Sequence, residues 1–146
     1  MGEGDKKATA KGGAALMDAM KGKYRRKPVY YRVYHEPIQA AQYRGTTTYQ
    51  DVAIIMGLPT SGNYMEKEVG HIVGAISEDE HCAGRPMLSA VVVSSVDGSI
   101  GGGFFKLARE LGQLGPNDDK DAFLESEREA VYETWRRPIP TKRPNS

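Results

Sequence analysis

Residues Thr46 to Gly112 read TTTYQDVAIIMGLPTSGNYMEKEVGHIVGAISEDEHCAGRPMLSAVVVSSVDGSIGGGFFKLARELG, and the fold is decided in this stretch. Thr48 stands three residues before Asp51, close to a capping box, so a helix is expected over Tyr49 to Met56. Gly57 and Pro59 end it, and the turn LPTSG leads to Asn63, a residue suited to cap a second helix. In that helix Val69, Ile72, Val73 and Ile76 recur at i, i+3, i+4 and i+7, which marks one face as core. Pro86 to Val93 contains three successive valines and predicts a buried strand. Asp97-Gly98 signals a tight turn, and Ser99 to Gly103 offers backbone that can pass close to a ligand or phosphate. Phe104, Leu107, Ala108 and Leu111 then fall on one face of a short helix stopped by Gly112.

Helix, turn, helix, strand, glycine turn and helix in this order predict an α+β, mainly helical fold. The specific architecture expected is a winged helix-turn-helix with a short β-wing, which most often grips DNA. Outward from it, residues 1–27 read as a flexible basic leader with little to bury. Within that leader Leu16, Met17 and Met20 share one side of a brief helix, too short to persist unless it docks. The cluster KGKYRRK at Lys21 to Lys27 reads either as a phosphate-seeking arm or as a solvated linker.

The winged-helix domain is assigned to residues 28–115. Its first part, Pro28 to Gly45, is read as strand-like residues Val29 to Tyr34 followed by a helix from Glu36 to Arg44. A longer helix starting near Tyr30 is the competing reading. Residues 116–137 predict an extra amphipathic C-terminal helix with Phe123, Leu124, Val131 and Trp135 as contacts, and residues 138–146 a disordered tail.

Composition bounds the partners. A chain of 146 residues with net charge +1 is not strongly basic, so any nucleic-acid surface has to be a local patch. One cysteine forms no internal disulfide, which fits a reducing, cytoplasmic setting. No apolar run approaches the roughly 20 residues that span a bilayer, so no membrane partner is expected.

At TTYQDVAIIMG, KEVG (Lys67 to Gly70) and VVSSVDGSIGGG the chain resembles the winged-helix domain of alkylguanine-DNA alkyltransferases and alkyltransferase-like proteins. The resemblance implies that Tyr49 stands near DNA phosphates. It also implies that Lys67 takes the place of an arginine finger that fills the space of a flipped nucleotide. The family's Pro-Cys-His-Arg site falls where this chain has Pro86-Met87-Leu88-Ser89-Ala90. Alkyl transfer needs an activated thiolate, so the chemistry is not carried over and no catalytic residue is assigned.

A non-catalytic DNA-binding protein follows as the expectation. Asn63, Tyr64, Lys67 and His71 present the second helix to a duplex, modified or damaged bases included, while Tyr49 and Arg85 approach phosphates. Lys23, Arg25 and Arg26, with Arg136 to Arg143, form basic arms. A protein-interaction module is the alternative, because Glu66 and Glu68 flank Lys67. A small enzyme with a pocket near Pro86 to Ser89 is a third reading. No cofactor is expected. No metal is expected either, because His71, His81 and Cys82 lack the paired spacing of zinc ligands.

Overall fold

A computed structural model describes residues 22–137; the expected brief helix at Ala14 to Met20 and the tail from residue 138 lie outside the described residues. Among the described residues, five helices surround one core, with a two-stranded parallel sheet at its edge.

Helix α1 runs unbroken over Pro28–Gln42. The strand expected at Val29 to Tyr34 is therefore replaced by the longer helix. Tyr30, Val33, Pro37 and Ala41 are its buried residues, and that spacing aligns them on one helical face. Their burial outweighs the β-propensity of the Val-Tyr-Tyr run. Pro28 costs nothing in the first turn, where its missing N–H would have had no partner.

Strand β1 (Thr47–Thr48) leads directly into α2 (Tyr49–Met56). As expected, the Thr48 side chain accepts from the Asp51 N–H, and Gly57 closes α2 with a left-handed φ of 73°. Helix α3 covers Asn63–Cys82, but its cap is Gly62, at φ 98°, and Asn63 is the first helical residue. The cap assigned to Asn63 is thus corrected by one position. Met65, Val69, Ile72, Val73 and Ile76 form the buried side of α3, as the periodicity predicts.

The largest departure is at Pro86 to Val93. Leu88–Val91 forms a 3-10 turn, and only Val92–Val93 (β2) is strand, paired in parallel with Thr47 and Thr48. All four residues of the 3-10 turn are buried, so the segment has no solvent side for a strand to alternate toward. Side chains from the flanking helices take the place of a sheet neighbour. The Ser89 N–H donates to Ser77 Oγ at 3.0 Å, Arg128 Nε donates to the Ala90 carbonyl at 2.8 Å, and the Met87 N–H donates to Glu127. These three backbone groups are satisfied without a ladder.

After β2 the chain turns through Ser94 to Ser99. The Ser94 N–H donates to the Ser99 carbonyl at 2.8 Å, and Ile100 returns beside Val93 in an antiparallel bridge. Helix α4 spans Gly102–Glu110, so two of the three glycines expected in a loop form its first turn. Helix α5, Lys120–Trp135, is capped by Asp119 and sends Val131 wholly into the common core. Tyr132 donates to the Gly45 carbonyl, and Arg44 holds Glu129 at 2.7 Å, so α5 is fastened to the segment that follows α1.

Candidate functional site

An open cleft of about 920 Å³ lies between the start of α2, one side of α3, the Ser94–Ser99 turn and α4. That size is near the upper end of the roughly 300–1,000 Å³ usual for ligand sites. Its floor is apolar, with Met65, Val73, Val92, Phe104 and Leu107 contributing side chains that are otherwise buried. Tyr49, Glu66, Lys67, His71 and Lys106 give it a polar margin of mixed sign.

Local chemistry explains how each wall stands where it does. Tyr49 is the first residue of α2, so the cap at Thr48 directs its ring toward the cleft. Burial, and then the nearby Glu66 carboxylate, push its phenol above the usual tyrosine value. A Cβ at residue 101 would meet the Tyr49 hydroxyl at 2.7 Å, so glycine there allows the phenol to close against the backbone entering α4. Gly70 faces open space on α3. Lys67 and Lys106 are exposed and form no ion pair among the described residues. Asp97 in the turn is held below the usual carboxylate range by its bonds with Ser99.

Of the residues proposed from sequence, Tyr49, Lys67 and His71 come together in this cleft. Tyr64 is exposed at the start of α3, beside the equally exposed Asn63. Arg85 is elsewhere. Both its Nε and Nη2 donate at 2.7 Å to the fully buried Glu80, to which Tyr34 also donates, and its guanidinium lies over Trp135. From Lys67 to Glu80 is about 20 Å along α3.

The basic cluster is divided. Lys23 pairs with the buried Glu68, and Arg25 holds Glu78 at 3.0 Å and Asp79 at 3.2 Å, while Arg26 is exposed at φ 68°. Burial pushes the Glu68 carboxyl up, but the Lys23 ammonium outweighs it and leaves the group below its ordinary value. Two of the three proposed arm residues are thus engaged by α3.

Sequence reasoning missed Lys106, the turn residues Ser94 and Asp97, and Glu110 as parts of the same wall. Lys106 belongs to no motif; its only signal is its place between Phe105 and Leu107, outside the core face of α4. Ser89, on the cleft floor, accepts a 2.8 Å bond from the Ser77 hydroxyl. Met87 and Leu88 are core residues. No group of three or more His, Cys, Asp or Glu side chains able to hold a metal occurs among the described residues. Nor is any helix among them long and apolar enough to cross a membrane. Compared with protein-family models, curated proteins and solved structures, the chain matches none.

Proposed function

We propose that this chain is a non-catalytic DNA-binding protein built on an alkyltransferase-like winged helix. In this reading α2 and α3 are the helix-turn-helix pair, and the Ser94–Ser99 turn is the wing. The observation that carries it is the exposed Lys67 on α3, which forms no ion pair among the described residues and lies beside Tyr49 and His71 at the edge of a cleft flanked by that turn. A helix start with an accessible cation and an exposed aromatic such as Tyr64 is suited to a duplex groove. The cleft supplies room for a base displaced from the stack, which extends the reading to modified or damaged duplexes. Arg85, Lys23 and Arg25 are left out of the contact surface because carboxylates already hold them.

A protein partner is the second reading, and one observation favours it. Glu66, Asp97 and Glu110 line the same cleft as Lys67 and Lys106, so its field is not uniformly positive. Fluorescence anisotropy with short duplex and single-stranded DNA at two salt concentrations separates the two. Salt-sensitive duplex binding is expected, weakened about tenfold by Lys67→Ala with a salt slope lower by about one. An affinity untouched by Lys67→Ala would remove α3 from the groove. No binding at low salt would favour the protein partner.

A further inference from the structure

Two hydroxyl groups in the cleft hold protons that no acceptor among the described residues receives. The first is Ser89. Ser77 and Ser89 stand 2.8 Å apart, Oγ to Oγ, and the Ser77 oxygen also accepts the Ser89 N–H at 3.0 Å. The pair thus has two hydroxyl protons and one contact between its oxygens. Ser77 is fully buried on α3, where a proton without an acceptor would be costly, so its hydroxyl donates to Ser89. The Ser89 hydroxyl is left with its own proton. Ser89 is 7 % exposed, and it lines the cleft among the apolar side chains of Met65, Val73, Val92, Phe104 and Leu107. The second group is the Tyr49 hydroxyl, which lines the same cleft and forms no hydrogen bond among the described residues. Burial, then Glu66, holds its proton on, so Tyr49 is also a donor.

We infer that the cleft binds a small, uncharged organic molecule, apolar over most of its surface and bearing carbonyl or ether oxygens that accept from Ser89 and Tyr49. The apolar floor supplies the attraction, and the two donors supply the selectivity. A molecule without an acceptor would cover Ser89 and leave its proton unserved, which disfavours it. Charge points away from an ion. Lys67 and Lys106 on the margin are offset by Glu66, Asp97 and Glu110, so neither sign prevails, and an ion would lose hydration against the floor. The volume of about 920 Å³ holds a molecule of this kind with room to spare. The assignment is independent of the DNA reading, although the two occupants share one cleft, so a bound molecule excludes a displaced base.

Coumarin is the probe for the test, because it is neutral, carries acceptor oxygens and has no donor. A molecule of its size is expected to bind with a Kd of roughly 4 mM or tighter. Titrated into the full chain, it should shift the methyl signals of Val73, Val92 and Leu107 and leave those of Val33 and Val131, buried away from the cleft, in place. Ser89→Ala and Tyr49→Phe should each weaken binding about fivefold, the worth of one hydrogen bond. Tyr49→Phe removes only the hydroxyl and decides alone if Ser89→Ala fails to fold. Affinity unchanged in the folded variants, equal shifts at Val33 and Val131, or no binding at about 10 mM coumarin overturns the assignment. Tighter binding of a coumarin carboxylate than of coumarin also overturns it, in favour of an anion held by Lys67 or Lys106. If coumarin binds as expected and neither form of DNA does, the small-molecule site holds and the DNA reading fails. The opposite result removes the site and leaves the DNA reading standing.

Discussion

Helix α3 has two polar sides that use charge in opposite ways. On the side facing α1 and residues 23–25, carboxylates are matched to donors: Glu68 with Lys23, Asp79 with Arg25 and Tyr30, Glu80 with Tyr34 and Arg85. Burial and then these carboxylate bonds push Tyr30 and Tyr34 well above the usual phenol value, so both act as fixed donors. On the cleft side, Lys67 has no such match among the described residues, and Gly70 leaves the wall low. The first side uses its ionic groups to join helices; on the second, Lys67 and Lys106 form no ion pair among the described residues. A charged residue in this helix cannot be assigned a role from its type alone. What decides is whether a partner of opposite sign reaches it.

Breaking the first side should have the largest effect. Glu80 is fully buried, so Glu80→Ala leaves Arg85 and Tyr34 without their shared acceptor. A loss of about 3 kcal/mol in urea unfolding is expected, at the low end for a buried pair because the Arg85 side chain keeps 41 % exposure. A loss under about 1 kcal/mol would mean that water already serves Glu80.

At the cleft side the effects should be smaller and coupled. Gly101 has φ −69° and ψ 148°, which any residue adopts, so alanine there would ordinarily stabilise by about 0.4–1 kcal/mol. The Tyr49 hydroxyl opposes this, and crowding of that kind costs about 1–3 kcal/mol. Gly101→Ala is therefore expected to destabilise by about 1 kcal/mol, and to become neutral or stabilising in a Tyr49→Phe background. If the two substitutions simply add, the phenol is not seated against residue 101.

The smallest effect tests a carboxylate that belongs to neither side. Glu127 of α5 accepts from the Met87 N–H, and burial pushes its carboxyl above the usual range against the opposing pull of that bond and His81. The folded protein thus holds this proton more tightly than the unfolded chain. Its contribution is present below the unfolded pKa and is lost as pH rises through the folded one. Glu127→Gln keeps an acceptor and should raise stability at pH 7 by less than about 1 kcal/mol, with the gain vanishing toward acid. A pH-independent difference between the two proteins would discard burial as the cause.

Much of the helical frame was legible because it rests on local rules. Thr48, Gly57 and Gly112 end helices where short-range chemistry says they should, and the Val69–Ile76 face of α3 is a periodicity. Two elements were misread for one reason: their conformation is set by what lies across the core. Val29 to Tyr34 joins a helix because Tyr30 and Val33 share a face with Pro37 and Ala41. Leu88 to Val91 is 3-10 because Ser77, Glu127 and Arg128, distant in sequence, serve its neighbourhood. The cleft was half legible. Tyr49, Lys67 and His71 sit near turn and helix signals, whereas Lys106 and Asp97 join them only through the packing of α4 and the turn. Arg85 and Lys23 showed the opposite limit, since nothing local reveals that Glu80 and Glu68 hold them.

The pairing of Thr47 with Val92 ties together points about 45 residues apart, with α2 and α3 between them. Closing so long a loop costs roughly 3 kcal/mol of chain entropy for only two residues of strand on each side. That contact is too expensive to start from and becomes affordable once α3 is packed, so the sheet should be a late event in folding. Thr47→Ala should then hasten unfolding and leave the refolding rate nearly unchanged in stopped-flow experiments; slower refolding would make the edge sheet part of the nucleus.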